Sequence, residues 1–277
     1  MGWADILVKL NIPYNSKAAL QLAENLGKFI RDIAWETSAR LGQEKGSFNN
    51  FKDSIWEKRK YKQFRNATLT TIAPTGSISM LANCSYGIEP HFALAFYKEA
   101  LGGIRLPEIN KDLLVKLRQV GLDTNNGLID QIAVSGTLQL IKEIPDEIKK
   151  TFVTAHEISF QDHVKMQAAW QKYTDNAVSK TINLAADARV EDVVKAYILA
   201  WELGCKGLTV YRDTSRRVQV LHVGYNVKNS KSQILNSKQT QNSKLKTQNN
   251  CPQCGAKLFK AEGCATCPAC AFSVCSL

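Results

Sequence analysis

The chain has 277 residues, enough for one large domain or two ordinary ones, and its 44% apolar composition supports a real core. It contains neither an 18-residue apolar run nor a signal peptide, so a membrane-spanning or secreted protein is not expected and a cytoplasmic one is. The formal charge of +11 invites a nucleic-acid reading, but residues 214 to 250 hold seven of those charges (Arg216, Arg217, Lys228, Lys231, Lys238, Lys244 and Lys246) and no acid. These cations are interleaved with Asn, Gln and Ser, not with aromatics that could stack on bases, which favours a solvated linker over a nucleic-acid surface.

Residues 17 to 42 predict an amphipathic helix, with Leu22, Leu26, Phe29, Ile30, Ile33 and Ala34 as its apolar face, Pro13 and Asn15-Ser16 as the start signal, and Gly42 near its end. A loop, GSFNNF, and a charged segment, KDSIWEKRKYKQF, lead to the apolar run Leu69 to Ile72, which reads as a strand. The stretch TIAPTGSIS (residues 71–79) then reads as a strand, a corner and a helix start. The first turn of a helix leaves N–H groups without partners and carries positive potential, and Gly76 has no side chain to keep an anion away. Thr75, Ser77 and Ser79 could add hydroxyl donors. The competing reading is that Ser77 or Thr75 only caps the helix. No P-loop is claimed, because its Lys is missing.

Farther on, Ala93 to Tyr97 predict a buried strand, and residues 108 to 150 carry short helical patterns broken at Gly121, at Asn125-Asn126-Gly127 and at Pro145. Residues 179 to 213 give the clearest signal of organisation. A strand (Thr181 to Leu184), a helix (Val190 to Leu203, with Val193, Val194, Tyr197, Ile198 and Trp201 inward) and a strand (Gly207 to Tyr211) make a βαβ unit, so parallel sheet and an α/β fold are expected. From 224 to 250 the composition shifts to Asn, Ser, Lys and Gln, too polar to offset ordering entropy, and predicts a flexible linker.

Six of the eight cysteines fall in residues 251 to 277. Cys251 and Cys254 form one CxxC and Cys267 and Cys270 another, a spacing that can place four thiolates around zinc in a ribbon-like tail. Gly255 follows the first knuckle, whereas Ala271 follows the second. Cys264 and Cys275 are left over as candidate exchange thiols, and the linker would hold them at an effective concentration of order mM. The alternative is a purely structural ribbon with two idle cysteines. Cys84 and Cys205, beside apolar segments, read as packing residues.

Four segments carry a resemblance: MGWADILVKLNIPY, NATLTTIAPTGSISMLANCSYGIEPHFALAFYK, WQKYTDNAVSKTINLAADARVEDVVKAYILAWELGCKGLTVYRD, and the CPQCG and CPAC knuckles. In order, they resemble the C-terminal portion of adenosylcobalamin-dependent (class II) ribonucleotide reductase. The resemblance implies the C-terminal half of a ten-stranded α/β barrel over residues 1–223, followed by the linker (224–250) and the tail (251–277). It makes Pro74, Thr75, Gly76, Ser77 and Ile78 the substrate-phosphate loop, and implies a ribonucleoside di- or triphosphate substrate, adenosylcobalamin in the complete enzyme and a thioredoxin-like reductant. Class I members pass a radical through adjacent tyrosines. Here Tyr211 is followed by Arg212, which favours the cobalamin class. The family's Asn-x-Cys-x-Glu finger loop does not occur in this sequence, so the chain is expected to be either one part of a split reductase, with an N-terminal part carrying the loop as its partner, or a truncated reading frame. The runner-up is a zinc-ribbon module that binds nucleic acid from a nonenzymatic α/β scaffold.

Overall fold

The computed structural model describes residues 1–99, 105–122, 126–213, 215, 254, 259–261, 264–266 and 273–275. The chain divides into two units, Met1–Tyr225 and Asn226–Leu277. The first contains helices α1 (Trp3–Lys9), α2 (Lys17–Lys45), α3 (Ile55–Lys58) and α4 (Gly76–Ala82), then strands β1 (Ala95–Glu99) and β2 (Arg105–Ile109). Helices α5 (Lys111–Gln119), α6 (Asn126–Ser135), α7 (Asp146–Thr151) and α8 (Phe160–Gln171) follow, and the unit ends with β3 (Thr181–Leu184), α9 (Val190–Glu202) and β4 (Thr209–Arg212).

The βαβ unit forms as the sequence predicts. β3 and β4 pair in parallel, from Thr181 opposite Thr209 to Leu184 opposite Arg212. α9 starts where the Asp192 carboxylate accepts from the Arg189 N–H, and its Ala200 joins Val164, Ile182 and Leu184 in a core between α8 and the strands. Of its predicted inward face, Val193 packs on that core and the rest does not. Ala196 and Ala200 are buried, while Val194, Tyr197 and Ile198 are about half exposed and Trp201 is 80% exposed. Small residues let the helix pack closely on α8, and Val194, Tyr197, Ile198 and Trp201 are left toward solvent.

α2 needs a similar correction in part: Leu22 and Leu26 of the predicted face pack against a core, but that face's other large apolar residues do not. Ser16 caps it, accepting from the Ala19 N–H, but the helix runs past Gly42 to Lys45 and ends at Gly46, whose φ of 80° suits glycine. Its buried positions are Ala19, Ala23, Gly27, Ser38 and Gly42, whereas Phe29 is 64% exposed and Ile30 and Ile33 are also exposed. Gly27 packs on Trp170 and Tyr173 at the end of α8. Gly42 lets the backbone of residues 64–65 cross the helix: a Cβ there would lie 2.7 Å from the Phe64 nitrogen. Ser38 fixes that crossing, since its Oγ donates to Asn66 Oδ1 and accepts from the Asn66 N–H.

The predicted strand at 69–72 is extended backbone with one parallel bridge, Ile72 to Val178, supported by Ser179 N–H donating to the Ile72 carbonyl. The predicted strand at 93–97 begins two residues late, as β1, and pairs antiparallel with β2. A separate core gathers α5, α6 and α7 through Leu113, Leu117, Ile132, Leu138, Ile144, Ile148 and Phe152. Four of the five tryptophans form two edge-to-face pairs, Trp3 with Trp170 and Trp35 with Trp56, each with ring centroids 5.1 Å apart. Regular parallel sheet among the described residues is β3 with β4, less than the ten-stranded half barrel expected.

In the second unit the described residues form three short antiparallel strands, β5 (Phe259–Ala261), β6 (Cys264–Thr266) and β7 (Ser273–Cys275), in the order β5-β6-β7.

Candidate functional site

The corner at 74–78 is built by contacts distant in sequence. Thr75 stands at the N-terminus of α4 with φ 56° and ψ 25°, a left-handed conformation unusual for a β-branched residue. Its hydroxyl does not cap the helix. Oγ1 instead accepts from the Gly87 N–H at 2.9 Å and from Ser79 Oγ at 3.0 Å. Ser79 is fully buried, so the hydroxyls of Thr75 and Ser79, expected to face an anion, hold the corner together. Pro74, Gly76, Ser77 and Ile78 are exposed. A Cβ on Gly76 would meet nothing within 4 Å. The first backbone bond of the helix is Ser79 N–H to the Thr75 carbonyl, so among the described residues none accepts from the N–H groups of Gly76, Ser77 or Ile78. The result is an open helix start with three unpartnered donors and the Ser77 hydroxyl beside them.

A charge cluster of half-buried Glu89 and buried Lys180 adjoins the Gly87 turn that holds the corner. Glu89 Oε1 accepts from the Thr181 N–H at 2.6 Å, and Oε2 accepts from Lys180 Nζ at 2.9 Å. Lys180 is 1% exposed and also donates to His163 Nδ1 at 2.9 Å, so His163 carries its proton on Nε2 and donates it to the Ala155 carbonyl. Burial, then the Lys180 charge, pushes the His163 pKa down to about 3. Burial also lowers the Lys180 pKa, against the opposing pull of Glu89. Tyr14, whose pKa is raised by burial and then by Glu89, donates its hydroxyl to the Ile88 carbonyl at 2.7 Å. Sequence reading named none of Glu89, Lys180, His163 or Gly87, although Gly87 and Glu89 lie in the GIEP segment of a block it singled out.

Cys205 is half-buried against the α8–α9 core, and burial raises its thiol pKa, in keeping with a packing role. Cys84 is also half-buried. In the tail, Cys254 lies in an exposed turn, while Cys251, Cys267 and Cys270 lie outside the described residues. Cys264 and Cys275 are direct register partners across β6 and β7. No helix among the described residues is long and apolar enough to cross a membrane.

Comparison with known proteins decides what this fold is. The family described as "Ribonucleotide reductase, barrel domain" matches residues 1–211. This chain belongs to the ribonucleotide reductase family. It is 50% identical over 224 residues to the vitamin B12-dependent ribonucleoside-diphosphate reductase of Thermoplasma acidophilum, covering 81% of this chain and 29% of that one. It is 44% identical to the reductase of the same description from Mycobacterium tuberculosis, covering 80% of this chain and 31% of the relative. Among solved structures, the class Id ribonucleotide reductase alpha subunit of Actinobacillus ureae superposes with a TM-score of 0.63 at 27% identity, over 77% of this chain and 38% of that one. The chain thus spans about three-tenths of the length of these B12-dependent relatives.

Proposed function

We propose that this chain is the substrate-phosphate and thiol-tail component of an adenosylcobalamin-dependent ribonucleoside-diphosphate reductase. The observation that carries the reading is the corner at Thr75, where a left-handed β-branched residue is held by two hydrogen bonds and leaves three N–H donors beside an uncrowded Gly76. Strained backbone persists where surrounding contacts enforce it, often at binding sites. The diphosphate of the substrate would sit against Gly76, Ser77 and Ile78, with Pro74 and Thr75 shaping the turn. The names of the B12-dependent relatives favour the diphosphate over the triphosphate.

Adenosylcobalamin would supply the radical in the complete enzyme. The cavity bounded by Ala4, Leu7, Tyr14, Pro90 and His91 is too small for a corrin and is not its site. The radical cysteine is expected on an N-terminal part, and this chain alone should show no turnover. In the tail, Cys251, Cys254, Cys267 and Cys270 would hold zinc, a donor set suited to a structural tetrahedral site. Cys264 and Cys275 are read as the exchange pair. Their two thiols would give two electrons and two protons to an active-site disulfide and become a disulfide themselves, for a thioredoxin-like dithiol to reduce. Their register pairing supports this assignment.

Gly76→Val tests the reading. A Cβ there meets no protein atom within 4 Å, so the fold should tolerate the change, while the branched side chain crowds the space beside the free N–H groups. With the N-terminal part supplied, nucleoside diphosphate affinity should fall at least about tenfold, the worth of one charge-assisted hydrogen bond. Unchanged affinity in the folded variant returns the corner to a structural role. Measurable turnover by the purified chain alone would refute the split arrangement.

A further inference from the structure

The corner's unusual conformation depends on residues that do not touch it. The turn at residues 86–89 closes through Glu89 N–H donating to the Tyr86 carbonyl at 2.9 Å, and inside that turn Gly87 supplies the N–H that holds Thr75 Oγ1. Gly87 has a φ of 47°, and a Cβ there would lie 3.4 Å from the Ala73 carbonyl oxygen and 3.8 Å from both the Pro74 oxygen and Thr75 Oγ1, so the turn lies directly against the corner. What fixes the turn is Glu89. Its two carboxylate oxygens are separately engaged, one by the first N–H of β3 and the other by the fully buried Lys180 ammonium. The other end of the corner is tied to the same stretch of chain, because Ile72 bridges to Val178, two residues before Lys180.

We propose that Glu89 is a positioning residue for the 74–78 corner, clamping the 86–89 turn to Lys180 and Thr181 so that Gly87 holds Thr75 in its left-handed conformation. Lys180 is the natural counter-charge. His163 offers it a neutral acceptor whose far side is engaged by the Ala155 carbonyl, which orients the ammonium toward Glu89 without competing for it. The Tyr14 hydroxyl holds Ile88 and so fixes the adjoining residue of the same turn. The clamp rests on the phosphate reading only for what the corner serves. The mechanical coupling from Glu89 to Thr75 stands apart from it.

Amide hydrogen exchange on the full chain tests that coupling without a ligand. Glu89→Gln keeps the side chain's shape and removes the charge that Lys180 requires. The Gly87 and Ser79 amides should exchange about tenfold faster, the equivalent of one net hydrogen bond, while Lys172 and Leu203 at the ends of α8 and α9 keep their wild-type rates. An unchanged Gly87 rate, or a rise shared equally by all four amides, overturns the proposal. Thr75→Val removes the acceptor directly. Combined with Glu89→Gln it should add nothing further at Gly87, whereas additive effects would show that the two residues act independently. If Glu89→Gln does not fold, Glu89→Gln/Lys180→Met, which removes both charges together, is judged by the same criteria. Titrating the wild-type chain, with the N-terminal part supplied, with a ribonucleoside diphosphate separates the two readings. Shifts of the Gly76, Ser77 and Ile78 amides support the phosphate role; their absence removes that role and leaves the exchange result to decide the clamp.

Discussion

Helices α8 and α9 lie side by side, yet they treat their apolar residues in opposite ways. α8 buries polar groups with apolar ones: His163 and Gln167 are as deeply enclosed as Val164 and Met166, and His163 is bonded at both ring nitrogens while Gln167 is bonded through its amide nitrogen and leaves Oε1 without a partner among the described residues. Gln167 Nε2 donates to the carbonyls of Val178 and Gly207, joining the segment before β3 to the one before β4. α9 instead buries its alanines and leaves Val190, Val194, Tyr197, Ile198 and Trp201 exposed. The difference teaches that apolar periodicity identifies a helix, while the inward side is chosen by how closely each side can approach its neighbour. A helix with a bulky apolar outer side is suited to burial against more protein.

The contrast can be broken most severely at the charge that α8 shelters. Lys180→Met leaves Glu89 without its counter-charge and His163 Nδ1 without its donor, and should destabilise the chain by about 3–5 kcal/mol in urea unfolding. Next, Met166→Ala opens a cavity in the fully enclosed side of α8 and should cost about 2–5 kcal/mol in the same measurement.

A graded effect comes from pH. The His163 pKa, about 3 in the folded chain, lies below its ordinary value of 6.5, so the unfolded chain takes up the proton first as pH falls. Stability contributed by neutral His163 is complete above pH 6.5 and is lost as pH falls toward 3, with a slope of up to about 1.4 kcal/mol per pH unit. His91, whose pKa burial also lowers, acts in the same direction, so the test is the difference between wild type and His163→Gln. A variant with the wild-type slope would remove His163 as its source. The smallest effect belongs to α9: Val194→Ser and Trp201→Ser should change stability by no more than about 0.5 kcal/mol. A large loss of stability would mean that the outer side is packed within the chain.

The sequence made the βαβ unit legible because short β-branched runs flank a helix-length apolar pattern, and all three elements form where that pattern places them. It placed Leu22, Leu26 and Val193 against the cores but misjudged the rest of both helix faces for one reason. Leu, Ile and Phe weigh most in any apolar pattern, whereas Ala19, Ala23, Gly27, Ala196 and Ala200 do the close packing. The corner at 74–78 was legible as a junction from Pro74 and Gly76. The use of its hydroxyls was not, because Thr75 is governed by Gly87, twelve residues away, and that turn by Lys180, ninety-one residues beyond Glu89. Cysteine spacing separated Cys264 and Cys275 from the two CxxC pairs but could not put them in register, which depends on how β6 and β7 meet.

The placement of the tryptophans makes the molecule its own optical gauge. Trp3, Trp170, Trp35 and Trp56 are locked ring against ring, whereas Trp201 stands 80% exposed on α9. Emission from Trp201 is therefore the red-shifted, quencher-accessible fraction of the total, and it alone reports on whatever comes to lie against that helix. Replacing the other four by phenylalanine is the wrong way to isolate it, since that would dismantle both aromatic pairs. Subtracting the spectrum of a Trp201→Phe variant recovers the same signal and leaves the paired rings in place.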